Sequence, residues 1–287
     1  MSAEANPPLR LDLYELAQAN GDDMRQRYLQ ARDESAAAAD AVERFCERVE
    51  RDGRVSINTR SKRLLWMLRN GYYPNPHDEA RERARLEGGD SEEYLKQQQG
   101  SWYHKRVRFE RSFKDGESFR YAALNIEGTG LSYYGLYCLV LRDPQDELAA
   151  LLPANSLKRF VYDEGGEPRL DEAAIRREVS SWPHRHHLAA CKHADDVAST
   201  PAVEWPKMMC HATAEKESFV EIILGSGVTP RDLKEVRVDK ASGRYVDLVA
   251  GLASGKVTDA ERTEALARVE VLEELQRLQL DKLYTEV

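Results

Sequence analysis

The most constraining feature of this chain is the stretch 219 to 224, Phe-Val-Glu-Ile-Ile-Leu, followed by Gly225-Ser226-Gly227. A short apolar run rich in β-branched residues and ended by turn residues predicts a buried strand. Glu221 sits in its middle. A carboxylate inside a buried strand is costly unless it is paired or used, because it has to be desolvated. Beyond the glycines, Thr229-Pro230-Arg231-Asp232 reads as a capped helical turn, and Val236 begins a further strand. A chain built on this unit must cover both faces of the strand and must find a purpose for the acid.

Other segments supply the cover. Met24, Tyr28, Ala31, Ala38, Val42, Phe45 and Val49 recur at helical spacing and predict one long amphipathic helix from about 22 to 52, ended by Gly53. Residues 54 to 60 alternate as a strand does, and Leu64, Leu65 and Leu68 mark a helix that stops at Asn70-Gly71 and delivers Tyr72 and Tyr73 onto a loop. Residues 77 to 116 are charged and helical in pattern, interrupted at Gly88-Gly89. Residues 120 to 126 and 136 to 142 read as two strands of a hairpin joined by a loop rich in Gly and Tyr. From Lys256 to Val287 the pattern predicts a helix, with Thr258 and Glu261 forming a capping box. It would dock on the N-terminal helix or pair with a second copy, giving a homodimer.

At 287 residues the chain can bury a full core, and its formal net charge of −8 disfavours general attraction to nucleic acid or anionic lipid. Cys46, Cys138, Cys191 and Cys210 are scattered, which fits a reducing compartment. Without a signal peptide or a membrane-length apolar run, a cytoplasmic protein is expected, or one delivered into a target or host cell.

Two local clusters carry chemistry. Lys105, Arg106, Arg108 and Arg111 alternate with aromatic residues, a composition suited to phosphate or a nucleic-acid backbone, although such runs also occur as solvated helix faces. Between 165 and 216 lie His184, His186, His187, His193 and His211 with Cys191 and Cys210. His186 or His187 with Cys191, His193, Cys210 and His211 would offer zinc enough donors, but the spacings fit no standard finger, and no metal is assigned.

The unit around Glu221 resembles the C-terminal motif of DarT-type ADP-ribosyltransferases, in which a strand carrying the catalytic Glu precedes a segment like Val-Thr-Pro-Arg-Asp-Leu and Glu-Val-Arg-Val. Those enzymes use NAD to modify nucleic acid, within a superfamily that also modifies proteins and small molecules. The resemblance extends to related uncharacterised bacterial proteins. It implies that Asn58, Thr59 and Arg60 face the dinucleotide and that Tyr72 or Tyr73 stacks on it. It also implies that Arg106 or Arg108, with Glu110 and Phe113, falls on an "R.RWE..F"-like stretch. The segment holding Asn125, Tyr133, Tyr134 and, after Leu152, Asn155-Ser156 resembles those relatives too, which have Asp-Ser at the last pair. Two further departures stand out. Phe219 occupies the position where the superfamily often has a second Glu or Gln, and Asn58-Thr59 replaces a usual His.

The expectation is therefore an α+β fold with a mixed, mostly antiparallel split sheet of five to seven strands and long helices at both ends. Residues 1–53 form an N-terminal helical extension, 54–252 the ADP-ribosyltransferase-like domain with the His/Cys-rich insertion, and 253–287 the C-terminal helix. The function implied by the resemblance is NAD-dependent mono-ADP-ribosyl transfer to nucleic acid or protein, as in a bacterial toxin or effector. Glu221 with Arg60 and Arg108 would be catalytic. Asn58, Thr59, Tyr72, Tyr73, Arg106, Asn125, Tyr133, Tyr134 and Ser156 would bind the dinucleotide. The alternative is a zinc-stabilised or helix-mediated module that binds nucleic acid or protein without catalysis.

Overall fold

A computed structural model describes residues 10–35, 38–144, 146–213, 215–240, 243–255 and 257–287. In chain order it runs α1 Leu13–Ala19, α2 Gly21–Glu34, α3 Ala39–Asp52, β1 Arg54–Thr59, α4 Ser61–Asn70, α5 Pro76–Glu87, α6 Ser91–Gln99 and α7 Tyr103–Arg111. The middle holds β2 Arg120–Asn125, β3 Tyr137–Leu141, β4 Ala149–Leu152, α8 Ser156–Arg159, β5 Val161–Glu164, β6 Glu167–Leu170, α9 Glu172–Glu178 and β7 Ser180–Ser181. Then follow α10 Arg185–Ser199, α11 Trp205–Met209, β8 His211–Ala212, β9 Glu217–Ser218, β10 Glu221–Leu224, β11 Leu233–Val238, α12 Gly243–Ser254, α13 Asp259–Arg277 and β12 Tyr284–Glu286.

The fold is α+β around an eight-stranded sheet of order β12-β11-β3-β1-β2-β10-β4-β7, antiparallel except for β11 with β12. It has one strand more than the upper bound expected from sequence. β10 is an interior strand, buried throughout, and its side chains alternate. Ile222 and Leu224 join a core built with α2, α3, α4 and α10, whereas Ile223 joins a second core containing Leu13, Phe109, Phe113 and Ile175. A strand covered on both faces must be apolar nearly throughout, which is why Glu221 stands out.

Three expectations are corrected. The single helix over 22–52 is two, because Ser35 ends α2 in a non-helical conformation and α3 begins again at Ala39. β2 and β3 do not pair as a hairpin: β1 lies between them, bonded to both. The C-terminal helix stops at Arg277 rather than continuing to Val287. Gln279 adopts a positive φ of 58°, and the last residues add β12 to the sheet edge. The α13 helix buries Val271 and Leu275 and lies along α4, not the N-terminal helix, with Arg69 bonded to Glu270 at 2.7 Å.

Candidate functional site

The strand register opens a cleft in the sheet. β1 and β2 pair only from Arg54 to Ser56, opposite Ala123 to Asn125. Beyond that point β1 continues beside β3, while residues 120–123 of β2 continue beside β10. The two strands part, and a cavity of 220 Å³ occupies the gap, lined by Ile57 and Asn58 on one side and Tyr121 and Ala122 on the other. The gap opens within one continuous eight-stranded sheet.

Glu221 lines this cavity although only 5% of its surface is exposed. The Ser156 amide donates to its Oε2 at 2.8 Å. Burial pushes the carboxyl up to about 7, against the opposing effects of hydrogen bonding from Ser156 and the Arg106 charge. An acid so poised changes charge near neutral pH, unlike an ordinary surface glutamate.

Arg106, rather than Arg108, enters the cleft. Its guanidinium lies over the Tyr121 ring at 4.6 Å and donates to Gln99 at 2.8 Å and to Glu110 at 3.0 Å. Glu110 is the hub beneath it. At 2% exposure it also accepts from the Tyr121 hydroxyl at 3.0 Å and meets His77 Nε2 at 2.7 Å. Arg63 and Arg120 complete a cationic lining, held respectively by Glu79 at 2.6 Å and by Asp78 at 3.2 Å. Three arginines thus line the cavity beside Glu221, each also paired with a carboxylate of its own.

A second carboxylate stands at the rim. Glu217, on β9, accepts from the Tyr134 hydroxyl and from Asn155 Nδ2 at 3.3 Å, and pairs with Lys158 at 3.0 Å. It lies close enough to raise the Glu221 carboxyl further. The sequence pattern pointed instead to position 219, where Phe219 is buried. The available signal was an acid four residues before Glu221, separated from it by a break between strands.

No family model and no curated protein matches the chain.

The other expected residues divide. Tyr73 lines the cleft and donates through its hydroxyl to Thr59 at 3.1 Å. Asn58 lines it too, but its amide group is engaged with the 129–135 loop: it donates to the carbonyls of Thr129 at 2.9 Å and Gly135 at 3.3 Å and accepts from the Leu131 amide at 2.6 Å. Arg60 and Thr59 line a neighbouring groove of 780 Å³ with Lys62 and Trp66, and this groove meets the cleft at Arg63 and Tyr134. Arg108 is exposed and lines neither space, because two residues along a helix turn a side chain through roughly 200°. Tyr72 packs edge-on against Trp66 outside the cleft. Asn125 lies where β1 and β2 are still paired, so the sheet is closed there, and its amide faces Cys138. Tyr133 is exposed beside Tyr134 and does not line the cleft. Ser156 meets Glu221 through its backbone amide, and its side chain also acts on the carboxyl, lowering it against burial.

The basic run does not form one face. Lys105 reaches Asp163 at 3.4 Å, Arg111 reaches Glu92 at 3.4 Å, and Arg106 turns into the cleft. The zinc set considered from sequence is not assembled either. His193 is buried against Phe45, Cys210 donates to the Leu124 carbonyl at 3.2 Å, and His211 is exposed. Among the described residues no helix is long and apolar enough to cross a membrane.

Proposed function

We propose that the cleft binds NAD and that the protein transfers ADP-ribose from it to a macromolecular acceptor, nucleic acid or protein. The observation carrying this reading is the buried Glu221 carboxyl, poised near neutrality, in a cleft lined with Arg106. The cleft alone is smaller than the roughly 300–1,000 Å³ of typical small-molecule sites, but with the adjoining groove the space reaches that range. The nicotinamide ribose end would lie by Glu221, and the diphosphate along Arg60, Lys62 and Arg63 of the groove.

In the transfer, the bond between ribose and nicotinamide breaks and nicotinamide leaves with the bonding electrons. The sugar passes through an oxocarbenium-like state comparable to that of a glycosidase. Ionised Glu221 would stabilise that positive charge and hold a ribose hydroxyl. The acceptor nucleophile forms the new bond and gives up a proton, for which Glu217, coupled to the Tyr134 hydroxyl, is the nearest second acid at the rim.

The test is nicotinamide release from NAD by the full chain, alone and with DNA, RNA or cell lysate, beside Glu221→Gln. Release that depends on Glu221, with label on one class of acceptor, supports the reading. Equal release by the two proteins, or no release and no NAD-induced thermal stabilisation, overturns it.

A further inference from the structure

The histidine-rich start of α10 takes no part in the Glu221 cleft, and it meets a residue distant in sequence. Where α10 packs against α3 and α2, the Cys46 thiol and the imidazoles of His186 and His187 bring one ligand atom each within 4.8 Å of one another. The His186 and His187 rings lie 3.9 Å apart, and Tyr28 of α2 stacks on His187 at 5.1 Å. His184 stands beside this group of three, its Nδ1 3.2 Å from Nδ1 of His187. Among the described residues, the buried His186 Nδ1 has no hydrogen-bond partner.

We propose that Cys46, His186 and His187 bind a zinc-type divalent cation, with His184 or a water completing the tetrahedron. Nitrogen and sulfur donors select such a borderline-soft ion over magnesium or calcium. At the usual bond lengths, tetrahedral zinc sets its donors roughly 3.4–3.6 Å apart, so closing these three around an ion takes about 1 Å of side-chain adjustment. Neutral imidazoles offer lone pairs to such an ion, and ligation by Cys46 would release the thiol proton to solvent as the sulfur–metal bond forms. The ion would clamp α3 to α10 and so fasten the N-terminal helices to the sheet. Cys46 comes from α3, outside the 184–211 window in which the sequence concentrates its histidines and cysteines.

The experiment is titration of the full-length, chelator-treated chain with zinc chloride, followed by zinc X-ray absorption and by cobalt substitution. Expected are one zinc per chain, a first shell of one sulfur with nitrogen or oxygen neighbours, and a thiolate-to-cobalt absorption band. Loss of a direct ligand in Cys46→Ser or His187→Ala should weaken binding by at least about 100-fold, whereas His211→Ala should bind as the parent does. Failure to bind zinc stoichiometrically, a first shell with no sulfur or with two, or full binding by Cys46→Ser overturns the proposal. If Cys46→Ser does not fold, the first shell of the unsubstituted chain and the titration of His186→Ala decide in its place.

Discussion

The Ser156 amide donates to Glu221 across two segments that are 65 residues apart, at 2.8 Å and fully buried. This bond holds the acid at the cleft while the surrounding apolar residues keep it from water. The contact tethers α8 to β10 and leaves Glu221 as a carboxyl whose charge is sensitive to neutral pH.

That sensitivity sets a stability signature. The folded protein binds the Glu221 proton up to about pH 7, the unfolded chain only to about 4.5. Between those values the native state holds more protons, so stability falls as pH rises through the window and levels off above it. Glu221→Gln removes the penalty while keeping an acceptor for the Ser156 amide. Its gain over the parent should approach about 3 kcal/mol at pH 8 and vanish near pH 4. Urea denaturation at the two pH values checks this, and an equal difference at both would refute it.

On the proposed reading, nicotinamide release should rise with pH through about 7, following ionisation of Glu221. A profile flat from pH 6 to 8 would mean that Glu221 is not the group whose charge matters.

The two candidate arginines should separate cleanly. Arg106→Ala removes a cleft guanidinium, and losing a charged hydrogen bond to a ligand, about 1.5–3 kcal/mol, corresponds to roughly a 10- to 150-fold loss in kcat/KM for NAD. Arg108→Ala, on the exposed side of α7, should stay within about twofold of the parent. Parallel steady-state assays decide it.

Glu217→Gln and Tyr134→Phe should lower transfer to the acceptor more than they lower NAD hydrolysis, since both side chains sit at the rim beside Glu221. Measuring free ADP-ribose against acceptor-bound label tests this. An equal fall in both products would assign the pair to NAD binding instead.

Glu110 should matter to folding more than any surface acid. Glu110→Ala leaves His77, Arg106 and the Tyr121 hydroxyl without their common partner, and breaking a buried charged network costs about 3–5 kcal/mol. Glu110→Gln keeps an acceptor and should cost less. Chemical denaturation of the two variants gives the ranking.

Much of this architecture is written locally in the chain. The strand at 54–59 follows from alternation, those at 120–125 and 137–141 from short apolar runs beside turn residues, and the capping box of Thr258 with Glu261 from four residues. Glu221 could be singled out because an acid in an apolar strand is anomalous in any context. What tertiary structure decided depends on contacts between distant segments. β1 inserted between β2 and β3 and then parted from β2, because each half of β1 found a different partner, and the cleft exists only through that parting. Which of Arg106 and Arg108 faces Glu221 was set by how α7 is rotated on the sheet. Cys46 joined the histidines through helix packing that no local spacing encodes, whereas Glu217 stands only four residues before Glu221. Periodicity and capping act over one or two turns of chain, whereas a site is assembled by whichever distant surfaces bury the most apolar area against each other.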